Sequence, residues 1–134
     1  MAIIPLIIDT DGGIDDAVAL WWALTNPDVV VRAITTVHGN VDLGRVVANI
    51  AIILHAAGRT DIPVGVGEAH AVGPAPELLR ASFIHGFDGL GDCGHGPDLP
   101  ADEISAALGV TVTTADELLD RFADGATIVT LGPL

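Results

Sequence analysis

The residues of this sequence most able to do chemistry are four aspartates close to its N-terminus. They fall within eight positions, directly after a short apolar run: Asp9, Asp11, Asp15 and Asp16. Carboxylates this close repel one another, and the repulsion disfavours the folded chain unless a cation or a charged ligand offsets it. The spacing therefore indicates a site for a divalent metal ion.

Three types of acidic site share part of this pattern. An EF-hand loop starting at Asp9 would need glycine at its sixth position and glutamate at its twelfth, where the sequence has Ile14 and Leu20. That interpretation fails. A phosphatase of the haloacid-dehalogenase type would also place Asp9 and Asp11 after its first strand, and a receiver domain keeps an acidic pair there. Both normally use a lysine, or in the phosphatase less often an arginine. Because the chain contains no lysine, both are weakened, but the phosphatase stays open.

Strands and helices are predicted to alternate around these aspartates. Apolar and β-branched runs predict strands over 3–8, 29–37, 62–66 and 126–131. Helical spacing of apolar residues predicts helices over 15–25 and 43–57, the second capped by Asp42 and ended by Gly58. A third helix is expected to begin after Thr114. On the first helix, Trp21 and Trp22 are expected to lie in the core or against a partner.

This alternation predicts an α/β fold, a Rossmann-like and mainly parallel sheet with flanking helices, forming a single domain over residues 1–134. Ligands of such sheets bind beyond the carboxyl ends of the strands. Three segments follow predicted strands and should meet there: the acidic motif, His38-Gly39-Asn40 and Leu131-Gly132. Residues 67–100 are rich in glycine and proline and lack periodicity, which predicts a long loop or a lid.

Composition limits the partners and the compartment. The formal net charge is −13, so the chain has little with which to neutralise phosphates, and we expect no nucleic-acid partner. The N-terminal apolar stretch has no basic region before it and ends at Asp9, which is typical of neither a signal peptide nor a membrane span. Cys93 is the single cysteine and fits a reducing cytoplasm, so we expect a cytoplasmic protein without membrane association.

The segment from Asp9 to Ala17 resembles the N-terminal signature of the nucleoside hydrolases, the inosine–uridine-preferring family, usually written DxDxGxDDA. It matches at every fixed position. Three further segments agree in order: Thr35–Asn40, Ile84–Gly91 and Val129–Leu134. The resemblance therefore spans essentially the whole chain, and it is more specific than any one segment.

The resemblance implies hydrolysis of the N-glycosidic bond of ribonucleosides to ribose and free base, a step in purine or pyrimidine nucleoside catabolism. It implies one bound Ca²⁺ that holds the attacking water. By position, Asp11 and Asp16 would be carboxylate ligands of the metal, and Leu131 would add its main-chain carbonyl. Asp11 would also be the base that takes a proton from the water. Ca²⁺ prefers oxygen ligands, which suits these residue types.

The same resemblance assigns the substrate contacts. Asp15 and Asn40 would bind ribose hydroxyls, and His85 would lie near the leaving base. The substrate implied is a ribonucleoside. We expect a homo-oligomer, a dimer or tetramer, because no predicted helix covers the last strand.

Family members are usually more than twice as long as this chain, and their later part supplies another metal-binding aspartate and further sugar contacts. We therefore expect the truncated N-terminal half of the nucleoside hydrolase fold, with impaired activity. The alternative is a non-catalytic truncated fragment, or a Ca²⁺-binding or interaction domain on the same half-fold.

Overall fold

A computed structural model describes residues 3–70, 82–93 and 100–133. The elements follow one another as β1 (Ile4–Thr10), α1 (Ile14–Thr25), β2 (Val29–Thr36), α2 (Leu43–Ala56), β3 (Val64–Val66), α3 (Ser82–His85), α4 (Ala101–Leu108), β4 (Val112–Thr114), α5 (Ala115–Phe122) and β5 (Thr127–Thr130). The predicted α/β architecture is confirmed.

The five strands of the described residues form one parallel sheet in the order β4-β3-β2-β1-β5. The chain builds outward from β1 to β4 in one direction and then crosses back to place β5 on the other side of β1. The strand order thus reverses at β1, which is where ligands enter open α/β sheets. Asp9 pairs with Thr35 of β2 on one side and with Thr130 of β5 on the other.

Apolar side chains of β1 point alternately to the two faces of the sheet, as the pleat requires. Leu6 and Ile8 belong to the main core, together with Ile34 of β2 and the apolar faces of α1 and α2. Ile7 lies on the opposite face in a smaller cluster, which includes Leu118 of α5. Burial on both faces explains why Leu6, Ile7 and Ile8 are all apolar instead of alternating with polar residues.

The helices α2 and α5 begin at the capping residues that the sequence predicted, and α2 ends before the predicted glycine. The Asp42 carboxylate accepts a hydrogen bond from the backbone N–H of Arg45 at 3.1 Å, and Gly58 follows α2 in the left-handed conformation, with φ +67°. The Thr114 hydroxyl accepts one from the backbone N–H of Glu117 at 3.3 Å. Each cap supplies a partner for a backbone group that the helix leaves unpaired.

Three short elements were not predicted. The strand β4 adds an edge beyond β3, so the strand predicted over 126–131 is the fifth and not the fourth. The helix α4 begins after Pro100 and ends at Gly109, whose φ is +73°, a proline-and-glycine signal that could have located it. The helix α3 interrupts the predicted loop over 67–100. Residues 71–81 and 94–99 of that loop lie outside the described residues.

The two tryptophans of α1 do not lie in the core, which was one of the two places expected for them, and their contact with a partner stays a prediction. Trp21 is 49% exposed and Trp22 is 60% exposed. The buried side of the helix is formed by Leu20, Ala23 and Leu24 instead. An apolar stretch this continuous leaves the buried face undetermined, and packing against α2 and the sheet selects it.

On β5, Ile128 is half exposed, and in the described part of the chain this strand pairs with β1 alone. The predicted homo-oligomer stays a prediction. None of the described helices is both long and apolar enough to cross a membrane.

Replacement of Leu54 by alanine tests the main core. Leu54 lies on α2 with no exposed surface, so Leu54→Ala should lower the free energy of unfolding by about 2–5 kcal/mol through lost burial and the cavity that remains. Val18→Ala is the control. The Val18 side chain on α1 is 68% exposed, so this change should alter the free energy of unfolding by less than about 0.5 kcal/mol. Urea denaturation measures both, and equal effects would contradict this description of the core.

Candidate active site

The turn between β1 and α1 carries the acidic motif at the carboxyl edge of the sheet. Asp11 is 8% exposed and Asp16 is 4% exposed. Burial of two carboxylates in one turn is unfavourable unless hydrogen bonds or a cation compensate for the lost hydration. Asp15, one residue earlier in the first turn of α1, is exposed.

Hydrogen bonds occupy both oxygens of Asp16. The hydroxyl of Thr10, the last residue of β1, donates to Asp16 Oδ1 at 2.6 Å. The same hydroxyl accepts from the backbone N–H of Gly12 at 3.1 Å. The backbone N–H of Gly13 donates to Asp16 Oδ2 at 3.2 Å. The strand end and the turn therefore fix the position of this carboxylate.

Asp11 is held from the neighbouring strand. The backbone N–H of Asn40, which follows β2, donates to Asp11 Oδ2 at 3.1 Å. Burial, together with the negative charge of Asp16, nevertheless raises the pKa of Asp11 to about 6. The site thus holds a carboxyl whose ionisation is opposed by its surroundings.

Asp9 lies on β1, two residues before Asp11. Burial raises its pKa, and the negative charge of Asp16 adds to the rise. The Thr35 hydroxyl opposes this shift because it donates to Asp9 Oδ1 at 2.6 Å. Asp9 is therefore engaged with β2 rather than with the turn.

Two glycines allow the surrounding segments to approach Asp11. A Cβ atom added to Gly39 would overlap Asp11 Oδ2, and one added to Gly132 would lie 3.2 Å from the backbone nitrogen of Asp11. Gly132 follows Leu131, whose backbone N–H donates to the carbonyl of Asp9 at 2.8 Å. The ends of β1, β2 and β5 thus meet around one carboxylate, as the sequence predicted.

The polar groups predicted to contact substrate surround Gly13. A Cβ atom there would overlap the side-chain amide of Asn40 and lie 2.9 Å from His85 Nδ1 and 3.0 Å from Asp15 Oδ1. His85 Nδ1 accepts a hydrogen bond from the backbone N–H of Ile14 at 3.1 Å. It also lies 3.7 Å from Asp15 Oδ1.

The structure therefore brings all six predicted site residues to one edge of the sheet: Asp11, Asp15, Asp16, Asn40, His85 and Leu131. Their individual roles stay predictions. Sequence reasoning missed Thr10, Thr35 and Asn49, whose side chains contact this turn or its neighbours. Asn49 carried a signal, since it is a polar residue inside the apolar stretch of α2.

The donor set suits a hard cation. Asp11 and Asp16 offer carboxylate oxygens in a buried place where their charges repel, and a bound divalent ion would remove that repulsion. Among the described residues, no group of three or more Asp, Glu, His or Cys side chains is arranged to hold a metal ion by itself. A metal here would need the two carboxylates together with other oxygen donors.

Comparison with known proteins gives a consistent result. The model of the family described as inosine-uridine preferring nucleoside hydrolase matches residues 6–134. The chain is 37% identical to uridine nucleosidase 1 of Arabidopsis thaliana over 96% of its own length and 37% of that protein. It is 39% identical to a pyrimidine-specific ribonucleoside hydrolase of Salmonella enteritidis, covering 97% of this chain and 40% of that one.

Solved structures agree with the sequence relatives. A plant nucleoside hydrolase superposes with a TM-score of 0.75 at 37% identity, over 97% of this chain and 40% of that one. The chain thus spans about 40% of the length of proteins such as these.

Gly39→Ala tests the close packing around Asp11. Because the added methyl would overlap Asp11 Oδ2, the carboxylate or the segment after β2 must move, and we expect a loss of about 1–3 kcal/mol in the free energy of unfolding. Gly44→Ala is the control. Its methyl would meet only Asp42 Oδ1 at 3.4 Å, and alanine favours the helix by up to about 1 kcal/mol. Thermal denaturation that ranks Gly39→Ala as the more stable variant would contradict this geometry.

The raised pKa of Asp11 predicts a pH-dependent stability in the presence of a chelator. The pKa rises from 3.8 to about 6 on folding, so the folded chain binds the proton more tightly than the unfolded chain. Stability from this group is therefore highest below about pH 4 and falls as the pH rises to about 6. Urea denaturation should show that Asp11→Asn, which stays neutral, gains stability relative to wild type across this interval. A constant difference between the two proteins would exclude the shift.

Proposed function

Because the chain belongs to the inosine-uridine preferring nucleoside hydrolase family, we propose that it contributes the acidic half of a site that hydrolyses the N-glycosidic bond of ribonucleosides. The products are ribose and the free base. The observation that carries the proposal is the buried pair Asp11 and Asp16 at the switch point of the sheet, within a family match that covers residues 6–134.

The proposed cofactor is Ca²⁺. Asp11, Asp16 and the main-chain carbonyl of Leu131 would hold it, since all three offer the oxygen ligands that this ion prefers. The unfavourable ionisation of Asp11 supports the proposal, because a cation between the two carboxylates stabilises their charged forms. When bound, Ca²⁺ supplies positive charge that lowers the pKa of a coordinated water and orients the sugar.

Asp11 is proposed as the base. Its carboxylate lies at the place proposed for the metal, so it can accept a proton from a water held there. In the reaction, one O–H bond of water breaks as its proton passes to Asp11, and the water oxygen bonds to the anomeric carbon. The electrons of the N-glycosidic bond leave with the purine or pyrimidine base of the nucleoside. This leaving base then takes up a proton.

Asp15, Asn40 and His85 are proposed to contact substrate. Asp15 is exposed beside the Asn40 amide and the His85 ring around Gly13, so the carboxylate and the amide can hydrogen-bond to ribose hydroxyls. As the glycosidic bond breaks, positive charge develops on the sugar ring, and the neighbouring carboxylates stabilise it electrostatically. His85 would lie near the leaving base.

A second candidate is a calcium-binding domain without turnover. Among the described residues no third acidic, histidine or cysteine ligand stands beside the pair, so this candidate is a two-carboxylate site that binds the ion weakly. A phosphatase of the haloacid-dehalogenase type has no such support, because the chain belongs to another family. A cytoplasmic location stays a prediction that rests on the single cysteine.

Hydrolysis of p-nitrophenyl riboside, uridine and inosine, with and without chelator, tests the proposal. We expect turnover that chelation abolishes and that Asp11→Ala lowers by a factor of about 100 or more, through loss of both the base and a metal ligand. Asp28→Ala, an exposed aspartate that precedes β2 at the opposite end of the sheet, should retain wild-type activity.

Absence of turnover at high protein concentration, together with saturable calcium binding, would favour the second candidate. Turnover that is insensitive to both the chelator and Asp11→Ala would contradict the proposed mechanism.

A further inference from the structure

A buried amide on α2 contacts the turn that joins β1 to α1. This turn, residues 11–14, is called the acidic turn below. Asn49 is 2% exposed and sits in the middle of an otherwise apolar helix face. Burial of an amide in apolar surroundings is unfavourable unless its polar atoms find partners. The identity of those partners shows what the side chain does.

The Asn49 amide joins two segments that are far apart in sequence. Its Nδ2 atom donates to the carbonyl of Asp88 at 2.8 Å and makes a longer contact with the carbonyl of Gly12 at 3.4 Å. The two N–H bonds of one amide can serve both acceptors. Asn49 therefore links the acidic turn after β1 to the segment 82–93.

The segment 82–93 is braced internally, so that a link at one residue constrains the others. Asp88 Oδ1 accepts from the backbone N–H groups of Leu90 at 2.7 Å and Asp92 at 2.9 Å. Asp92 Oδ1 in turn accepts from those of Phe87 at 2.6 Å and Asp88 at 3.2 Å. The backbone N–H of Gly91 donates to the carbonyl of His85 at 2.7 Å.

The same segment meets the acidic turn a second time through His85. A backbone N–H can only donate, so the contact from Ile14 makes His85 Nδ1 the acceptor. The neutral ring then carries its hydrogen on Nε2. The two contacts fall at Gly12 and Ile14, one on each side of Gly13.

We propose that Asn49 is a positioning residue for this site: its amide holds the acidic turn and the segment 82–93 together, and so keeps His85 against the start of α1. Asn49 acts through backbone carbonyls and reaches neither substrate nor metal itself. The consequence for calcium affinity rests on the proposed function, whereas the link between the two segments does not.

Amide hydrogen exchange tests the link without requiring activity or metal. In Asn49→Ala, exchange in the segment 82–93 should become about tenfold faster, while the exchange of β2 changes only as global stability dictates. Ile50→Val is the matched control, a fully buried neighbour on the same helix that loses one methyl group. If Asn49→Ala accelerates exchange in 82–93 no more than the control does, the proposal is wrong.

A second variant covers the case in which Asn49→Ala does not fold. Asn49→Ser shortens the side chain but keeps a polar group at this position, so it should fold and show faster exchange than wild type in the segment 82–93. Exchange of that segment at the wild-type rate in Asn49→Ser, with its hydroxyl too short to reach Asp88, would overturn the proposal.

Calcium titration separates a positioning role from simple packing. Asn49→Ala should weaken calcium binding by about tenfold, as loss of residues behind metal ligands commonly does. In a His85→Ala background the same change should have a smaller effect, because the two side chains act through one segment. If the free-energy effects of Asn49→Ala and His85→Ala on calcium binding simply add, the proposal is wrong. Failure of the wild-type chain to bind calcium would instead overturn the proposed function and leave the exchange result standing.

Discussion

The mutual repulsion of Asp11 and Asp16 is the constraint on which the rest of the site depends. Two carboxylates buried in one short turn are unfavourable by themselves: burial, and after it the negative charge of Asp16, raises the pKa of Asp11 to about 6. The surrounding groups are arranged to tolerate it. The Thr10 hydroxyl and the Gly13 N–H hold Asp16, and the Asn40 N–H holds Asp11. A structure that keeps such a pair in place is suited to binding a cation.

The fold supplies this arrangement through its topology. Because β2 and β5 flank β1 in a parallel sheet, Asn40 and Gly132, which follow their carboxyl ends, lie next to Asp11, which follows β1. Small residues make the approach possible, since a side chain at Gly39 would displace the carboxylate. Fixed strand ends place these groups more accurately than free loops can. The segment 82–93 packs against the turn through His85, which accepts a hydrogen bond from Ile14, and Asn49 of α2 binds the same segment at Asp88.

Much of this could be predicted from the sequence. The apolar run before Asp9 and the caps Asp42 and Thr114 are local signals, so β1 and the starts of α2 and α5 were located correctly. Prediction failed where tertiary packing decides. The exposure of Trp21 and Trp22 depends on which side of α1 meets the sheet. The strand β4 has only three residues and therefore shows little periodicity, and α4 lacks a side-chain cap of the kind that located α5. Thr10 gave no signal, because its role depends on a contact formed only in the folded turn.

Calorimetric titration of the chain with Ca²⁺ tests the central claim most directly. If a cation relieves the repulsion between Asp11 and Asp16, binding should be saturable, with one site. It should also release protons between about pH 5 and pH 6, where Asp11 is partly protonated without metal. Titrations in buffers of different ionisation enthalpy measure that release, which should disappear above about pH 8. Binding that releases no protons near pH 5.5, or that persists unchanged in Asp11→Asn and Asp16→Asn, would contradict the account.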